Sequence, residues 1–367
     1  MEAKRIRQKY GIAVSRWGKF PIVFKMNKVM KNKIIKIAIG AISGLLVTTA
    51  ISAQTDFQWI DASPLPAERQ EIYADVRNDR IYTLGGMSEG AQNVSDNFLE
   101  YDATRDAWTE LTPLPEERHH IAVAIVEDKL YGIGGFEGGF PNWEAQSSVF
   151  VYNFNTEEWA ESTPLPEPRG EHTSIVVDGK IYVIGGRRKR TPDSANFNDH
   201  FDTSSMLVFD PATEVWTPAP DMPTARNSHA AAVIDGRIYV VGGRQFTEQP
   251  NGEYASVNVA SLEVYDPATE LWETRSPLPQ AAGGISAAVV DGKLYVFGGE
   301  QWVPEQAIIA EAWVYDPALD QWSALPDMET PRHGTAAGAI GDQIYVFGGA
   351  TETGAGAVNI NETLLVR

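Results

Sequence analysis

The segment Lys180-Ile181-Tyr182-Val183-Ile184-Gly185-Gly186 organises this chain, because six versions of it occur along the sequence. The glycine pairs begin at positions 85, 134, 185, 242, 298 and 348, so the steps between them are 49, 51, 57, 56 and 50 residues. Each apolar run before a glycine pair has the length and the β-branched and aromatic content of a strand buried on both faces. One such unit cannot bury its own faces and must stack on its neighbours, so the period predicts a radial array of small sheets.

The third repeat shows how one unit divides into four strands. Residues 173–177 are predicted as strand a and 180–185 as strand b, with the two-residue turn Asp178-Gly179 between them. After a variable loop, residues 205–210 and 215–217 are predicted as strands c and d. An aromatic residue on strand c is followed seven residues later by a tryptophan on strand d, and these side chains are expected to pack between units. The pairs are Tyr101/Trp108, Tyr152/Trp159, Phe209/Trp216, Tyr265/Trp272 and Tyr315/Trp322.

The sixth repeat lacks a strand d of its own, and we expect the N-terminal part of the chain to supply it. Residues 363–367 read as strand c, and no tryptophan follows them. Trp59 instead precedes residues 63–69, which match the connector 112–118 that follows Trp108. A ring closed in this way leaves no exposed strand edges at the seam.

The diglycine strand, the Tyr and Trp spaced behind it and the Pro-Leu-Pro-x-x-Arg connector resemble Kelch repeats over about residues 56–367. The resemblance implies an all-β fold, a six-bladed Kelch β-propeller whose last blade is closed by the N-terminal strand. Kelch propellers serve as binding platforms in most cases and as enzymes in a few, so the resemblance specifies the fold far more closely than the function.

Composition excludes several classes of site. The chain contains no cysteine, which excludes disulfides, thiolate metal sites, a cysteine nucleophile and a bacterial lipoprotein anchor. It also excludes the copper radical site of the Kelch-containing galactose oxidases, which cross-links a cysteine to a tyrosine. Residues 54–367 carry 19 basic and 48 acidic side chains, a net charge of −29, so we expect no nucleic-acid partner.

The N-terminal segment reads as an export signal. Residues 26–53 contain four lysines, then the apolar run 37–47, then small residues up to Ala53, which predicts a signal peptide cleaved near that residue. Residues 1–25 are interpreted as a mis-assigned start or an extended leader, and residues 54–367 as the propeller. The prediction is therefore a periplasmic or secreted protein with no stable membrane insertion after cleavage; the alternative is a retained single-span anchor.

Strand parity locates the mouth of the propeller. Because consecutive strands are antiparallel, the d-to-a connectors and the b-to-c loops emerge on one face, and the tight turns emerge on the other. The long insertions 136–146, 187–204, 244–260 and 300–310 all fall on the first face. A binding site is expected there.

The connectors on that face carry cations at equivalent positions, and five of the six histidines lie beside them. The arginines are Arg69, Arg118, Arg169, Arg226 and Arg332, and the histidines are His119, His120, His172, His229 and His333. These groups predict an anion-binding rim; the alternative is that the arginines bind backbone carbonyls of neighbouring connectors. The Kelch resemblance implies contacts from the start of strand a and from the residue after each glycine pair, here Met87, Phe136, Arg187, Arg244, Glu300 and Ala350.

The fifth repeat departs from this rim. Residues 280–284 replace the arginine with small side chains, which predicts a notch beside Glu300 and Trp302. A notch, a carboxylate, a flat indole and facing arginines would suit an acidic sugar. The alternative is a blade that has lost its consensus residues by drift.

These observations predict an exported binding protein that recognises an anionic ligand, either a small molecule or glycan or a protein segment, without a cofactor or a metal ion. The expected ligand-binding residues are Arg69, Arg118, His119, His120, Arg169, His172, Arg187, Arg226, His229, Arg244, Glu300, Trp302, Arg332 and His333. The export signal, the blades and their N-terminal closure also resemble the periplasmic sialic acid mutarotases (N-acetylneuraminate epimerases). That alternative implies a sugar isomerase acting on a sialic-acid-like substrate, with Glu300, His172 or His229 as catalytic candidates. A purely structural disc that binds a protein partner is the third interpretation, and it leaves the histidines unexplained.

Overall fold

The computed structural model describes residues 16–17, 20–21, 57–88, 90–248 and 254–366. The chain divides into two compact units, Met1–Ala53 and Gln54–Arg367. In the first unit, the strands Arg16–Trp17 and Phe20–Pro21 pair antiparallel. The predicted signal peptide and its cleavage site lie outside the described residues. None of the described segments is a helix long and apolar enough to cross a membrane.

The described residues of the second unit form six four-stranded antiparallel sheets, each of which is a blade with strands a to d from the centre outwards. Blades one to three are Tyr73–Arg77, Arg80–Leu84, Phe98–Asp102 and Ala107–Glu110; Ala122–Val126, Lys129–Ile133, Val149–Asn153 and Glu158–Glu161; and Thr173–Val177, Lys180–Ile184, Met206–Asp210 and Val215–Ala219. Blades four to six are Ala230–Ile234, Arg237–Val241, Leu262–Asp266 and Leu271–Arg275; Ser286–Val290, Lys293–Phe297, Ala312–Asp316 and Gln321–Ala324; and Ala336–Ile340, Gln343–Phe347, Asn361–Leu365 and Gln58–Asp61. Each strand a packs against the strand a of both neighbouring blades, so the inner strands form a closed ring and the fold is a β-propeller.

Strand b is the buried centre of each blade, and the glycine pair that ends it permits a close approach. In blade three, Ile181, Val183 and Ile184 are fully buried. Gly185 has φ +61°, and a Cβ there would lie 2.8 Å from the carbonyl oxygen of Arg226 in the next connector. A larger residue at this position would therefore separate the two blades.

Small hairpins extend the b-to-c loops on the mouth face. Their strands are Met87–Ser88 with Asn93–Val94, Phe136–Glu137 with Glu144–Ala145, Arg244–Glu248 with Tyr254–Asn258, Glu300–Gln301 with Ala307–Ile308, and Ala350–Glu352 with Ala355–Ala357. In blade three, Arg187–Lys189 pairs with both Arg169–Gly170 and His200–Asp202, which follows the short 3₁₀ helix Phe197–Asp199. Each hairpin starts at the residue after a glycine pair and so begins at the mouth.

The tryptophans of strand d join each blade to the previous connector. Trp108 Nε1 donates to the Ser63 carbonyl at 2.9 Å, and equivalent bonds follow around the ring from Trp159, Trp216, Trp272 and Trp322. Trp59 completes the set by donating to the Pro326 carbonyl at 3.0 Å. Strand Gln58–Asp61 pairs with Asn361–Leu365, which confirms the predicted closure of the last blade by the N-terminal strand.

Candidate functional site

A cavity of about 280 Å³ opens on the mouth face of the propeller. Its floor is made by the d-to-a connectors and its walls by the hairpins that follow the glycine pairs. Of the residues that the sequence singled out, the cavity brings together His120, Arg187, Arg244, Glu300 and Trp302.

The floor is a ring of six residues, one from each connector, which we call the inner ring. Each lies two positions after the connector arginine or its blade-five equivalent, and each has a left-handed φ between 48° and 68°. The inner ring consists of Glu71, His120, Glu171, Ser228, Gly284 and Gly334. Backbone hydrogen bonds of 2.8 to 3.1 Å link neighbours, for example from Glu71 N–H to the Gly334 carbonyl and from His120 N–H to the Glu71 carbonyl. Left-handed conformations in residues other than glycine cost energy and cluster at functional sites, so the inner ring is the first structural indication of a site.

Glu71 lies at the centre of the charged groups on the floor. His120 Nε2 lies 2.9 Å from one oxygen of Glu71, and His333 Nδ1 lies 3.3 Å from the other. Burial acts to raise the pKa of Glu71, but His120 and His333 overcome it and hold this pKa well below its usual range. Burial acts to lower the pKa of His333, whereas Glu300 and Glu71 together raise it above its usual value. The carboxylate is therefore ionised and the imidazole retains its proton to a higher pH than an ordinary histidine.

Glu300 accepts hydrogen bonds from three sides. Arg244 Nη1 and Trp302 Nε1 donate to Oε1, the latter at 3.0 Å, and Gly354 N–H donates to Oε2 at 2.9 Å. Arg244 Nη2 also donates to the Ser228 hydroxyl at 3.0 Å.

The polar contacts close into a circuit around the floor. Ser228 Oγ donates to Glu171 Oε1 at 3.4 Å, and this oxygen lies 3.7 Å from His120 Nε2. His333 Nε2 lies 3.5 Å from Glu300, which joins Glu71 to the Arg244 side of the floor. A buried network with both signs of charge holds its members in fixed orientations, because each would otherwise be left desolvated without a partner.

The notch predicted beside Glu300 is filled by Arg244 from the neighbouring blade. A Cβ on Gly283 would lie 2.2 Å from Arg244 Cγ and 2.8 Å from its Cδ. The small residues of blade five therefore make room for this arginine, which then pairs with Glu300. The notch is a seat for a protein side chain and is not open to a ligand.

Four residues that line the cavity present buried polar atoms with no hydrogen-bond partner in the described part of the chain. They are the donors Trp143 Nε1 and Arg187 Nε and the acceptors Gln70 Oε1 and Glu171 Oε2. Arg187 Nε does lie 3.6 Å from Glu171, close enough for an ion pair but not for a hydrogen bond. Buried polar groups are nearly always satisfied in native proteins, so this set marks places where a ligand can bond.

The connector arginines are not brought to the cavity. Arg226, for example, donates to the carbonyls of Gly242 and Ser261, both at 3.0 Å, and pairs with Glu263 at 2.8 Å. Arg169 donates to the Gly185 and Ser205 carbonyls in the same way. Arg118 donates to the Ser148 hydroxyl, and Arg69 donates to the side-chain oxygen of Asn97. Arg332 donates to the Val346 carbonyl and pairs with Glu362. These arginines brace each connector to its own blade near the ends of strands b and c, and none of them lines the cavity.

His119, His229 and His172 do not line the cavity. His119 is fully buried with its Nδ1 2.6 Å from Nδ1 of His120, and burial and then the charge of His120 hold its pKa well below the usual range. His229 lies 3.0 Å from the Thr173 hydroxyl, and burial, followed by Arg226, lowers its pKa to about 3. Burial likewise lowers the pKa of His172 well below its usual value. Of the three catalytic candidates, only Glu300 lines the cavity.

Sequence reasoning did not single out Glu71, Glu171, Gln70 or Asn227, although all four line the cavity. A signal for them is present in the sequence, because each lies one or two positions after a connector arginine. Within the described residues, no group of three or more histidines and carboxylates is placed to hold a metal ion.

Comparison with known proteins agrees with this fold. The Attractin/LZTR1 beta-propeller family matches residues 47–303, and the Kelch motif matches residues 281–329. Kelch-like protein terF of Aspergillus terreus is 32% identical over 172 residues, which is 45% of this chain and 36% of that protein. Kelch-like protein 36 of Bos taurus is 27% identical over 258 residues, which is 70% of this chain and 39% of that protein.

The chain thus spans well under half the length of these two curated relatives. Among solved structures, YjhT has a TM-score of 0.67 and 18% identity, over 83% of this chain and 96% of that chain, a likeness that concerns the fold. Because the propeller family matches most of the sequence and the Kelch motif falls in register with the blades, the chain belongs to the Kelch-repeat β-propeller family.

Proposed function

We propose that this protein is an exported binding protein that takes a small acidic carbohydrate in its mouth cavity. The observation that carries the proposal is the mixture of buried donors and acceptors in the lining that have no hydrogen-bond partner among the described residues, contributed by Trp143, Arg187, Gln70 and Glu171. A hydroxyl group both donates and accepts hydrogen bonds, so a polyhydroxylated ligand can satisfy such a mixed set.

The size and walls of the cavity agree with this class of ligand. At about 280 Å³ it lies just below the range of small-molecule pockets, which is about 300–1,000 Å³, and it suits one or two sugar rings better than a folded partner. Trp143, Phe197, Phe246, Tyr254 and Trp302 contribute aromatic side chains to the lining, on which the apolar face of a sugar ring can pack.

Arg187 is the group proposed to select an acidic sugar. Its side chain is 2% exposed, its Nη2 donates to the Phe197 carbonyl at 2.8 Å, and its Nε remains without a hydrogen-bond partner in the described residues. A guanidinium group binds a carboxylate through paired, charge-assisted hydrogen bonds. The nearby glutamates on the floor disfavour a densely charged polyanion within the cavity.

A calorimetric and thermal-shift screen tests the proposal. The full chain is titrated with N-acetylneuraminic, glucuronic and galacturonic acids and with the neutral sugars glucose, galactose and N-acetylglucosamine. We expect an acidic sugar to raise the melting temperature, and the Arg187→Gln variant to lose roughly ten- to a hundred-fold in affinity for it. Arg188→Ala is the matched control, because Arg188 pairs with Glu167 outside the cavity. Equal binding of acidic and neutral sugars that is unaffected by Arg187→Gln would refute the role of the carboxylate, and no binding of any sugar would refute the proposal.

A second candidate, sugar mutarotation or epimerisation on a sialic-acid-like substrate, is favoured by one specific observation. The pKa of Glu71 is held low by His120 and His333 against the effect of burial, while that of His333 is raised by Glu300 and Glu71 against the same effect. Adjacent groups whose pKa values are driven apart can serve as base and acid, a contribution worth about 10²–10⁴ in rate. Exchange spectroscopy of the anomers of N-acetylneuraminic acid measures this directly. Acceleration that disappears in Glu71→Gln would support it, and an exchange rate equal to that in buffer would leave binding as the function.

A further inference from the structure

A row of four aromatic side chains runs along the wall of the mouth cavity to its rim. Trp143 and Phe197 have ring centroids 4.9 Å apart, Phe197 and Phe246 6.5 Å, and Phe246 and Tyr254 5.5 Å. Exposure rises along the row, from 8% at Trp143 to 52% at Tyr254. The outer end of the row therefore presents an aromatic surface that is about half-exposed to solvent at the rim of the cavity.

The outer aromatic residues of this row are each accompanied by a guanidinium group. Arg187 lies over Phe197 at 4.5 Å and over Phe246 at 5.4 Å from the ring centroids. Arg190 lies over Tyr254 at 5.9 Å. An aromatic and arginine pair in the cavity is thus followed by a second such pair at the rim.

Arg190 differs from its basic neighbours in having its charge available. Arg188 pairs with Glu167, and Lys189 pairs with Glu144 at 2.7 Å. Arg190 is exposed and forms no ion pair with any residue that the structure describes. Among the residues that the structure describes, it is therefore the cation of the run 187–190 without a carboxylate partner, and it can meet a ligand outside the cavity.

We propose that Tyr254 and Arg190 form a second subsite, which binds the next unit of an acidic oligosaccharide whose terminal unit occupies the mouth cavity. This rests on the proposed function. A succession of aromatic and guanidinium pairs matches a succession of sugar rings that each bear a carboxylate, because the ring packs on the aromatic face and the carboxylate meets the arginine. The ligand is then the end of a chain of acidic sugar units, and a single sugar would use only the inner half of the site.

The charge of the protein favours the same mode of binding. Residues 54–367 carry a net charge of −29, so an anionic chain is repelled over long distances and binds only where it meets cations directly. Arg187 and Arg190 offer such direct contacts with cations at two successive points along the ligand. A longer acidic chain gains nothing beyond the second unit, because neither Arg188 nor Lys189 is free of a carboxylate partner.

The test is calorimetry of the full chain with two series of ligands: galacturonic acid, its dimer and its trimer, and N-acetylneuraminic acid with its α2,8-linked dimer and trimer. In at least one series we expect the dimer to bind about tenfold more tightly than the monomer and the trimer to bind like the dimer. Arg190→Ala should remove this gain and leave the affinity for the monomer unchanged, and Tyr254→Ala should remove the gain as well. Arg188→Ala is the control and should preserve both affinities.

The outcomes separate this subsite from the proposed function. Equal binding of monomer and dimer in both series overturns the subsite and leaves the acidic-sugar site intact. A gain that survives both Tyr254→Ala and Arg190→Ala also overturns it. Failure of every acidic sugar to bind refutes the proposed function and the subsite together. Tight binding of a hexaglutamate peptide that is lost in Arg190→Ala, with no gain in either sugar series, would assign the rim to a protein segment instead.

Discussion

The close approach of Gly283 to the Arg244 side chain allows a direct test of why blade five has small residues at the mouth. An added Cβ would lie 2.2 Å from Arg244 Cγ, 2.8 Å from Cδ and 3.0 Å from Nε, and the φ of Gly283 lies outside the left-handed region. Gly283→Ala is therefore tolerated by the local backbone and acts first on the arginine, which supplies the three atoms nearest to the new Cβ.

The expected losses in the free energy of unfolding follow from the burial of Arg244 and Glu300. Arg244 is 6% exposed and Glu300 is 1% exposed, so Arg244→Ala leaves a buried carboxylate without its guanidinium partner, which typically costs about 3–5 kcal/mol. The hydrogen bonds from Trp302 and Gly354 to Glu300 remain, which places the expected loss near the lower end of that range. Gly283→Ala overpacks the same point and should cost about 1–3 kcal/mol when Arg244 is present. In the Arg244→Ala background the clash no longer exists, so the same change should cost less than about 0.5 kcal/mol.

Urea unfolding of the wild type, both single variants and the double variant measures this cycle at neutral pH. We expect a coupling energy of about 1–3 kcal/mol between positions 283 and 244, with an unchanged dependence of the free energy of unfolding on urea concentration. If Gly283→Ala costs the same with and without Arg244, the small residue is not a seat for the arginine and the account of blade five is refuted.

Four further outcomes are expected. Arg226→Ala should lower the free energy of unfolding by about 3–5 kcal/mol, because its carboxylate partner is buried, while calorimetry of the folded fraction shows unchanged sugar affinity. Trp59→Ala should cost about 3–5 kcal/mol, since it empties the seam of blade six, and an unaltered melting temperature would contradict the role of this strand in closure. Burial lowers the pKa of His229 to about 3, so this histidine is neutral in the folded state. The stability it contributes is present above about pH 6.5 and is lost as the pH falls. Between pH 7 and pH 5, the free energy of unfolding measured with urea should therefore fall by about 2 kcal/mol less in His229→Gln than in the wild type. When the protein is expressed in a Gram-negative host, its intact mass should correspond to a chain that begins near Gln54. A mass that corresponds to a chain still containing residues 37–47 would indicate a retained anchor.

The repeat in the sequence was sufficient to predict the blades. In blade three, strand a is confirmed at Thr173–Val177, and strand b at Lys180–Ile184 ends one residue before the prediction. Strand d continues to Ala219, two residues beyond the prediction, because the ladder with Met206–Asp210 runs on through Pro218. The spacing of the glycine pair, the aromatic residue and the tryptophan constrains the register of blades one to five, which is why a single sequence predicted so much.

The site was less accessible to such reasoning, because charge does not specify the direction in which a side chain points. The connector arginines and Arg187 look alike in sequence, yet Arg226 points into its own blade and Arg187 points into the cavity. Glu71 and Glu171 were missed because their importance comes from the left-handed backbone of the inner ring, which places them on the floor. Their place two residues after a connector arginine is visible in the sequence, but the residue type at that place does not indicate the left-handed conformation.

The position of the closing strand also delays completion of the propeller during synthesis of the chain. Gln58 pairs with Leu365, so the first strand of the propeller has no partner until about 300 more residues have been made, roughly 15–60 s at ordinary rates of synthesis. During that time the indole of Trp59 and one edge of the strand are exposed to whatever binds nascent chains, while blades one to five can already stack on one another. Completion of the ring is therefore a single late event. A chain that lacks its last few residues would leave two strand edges unpaired, and such edges promote aggregation.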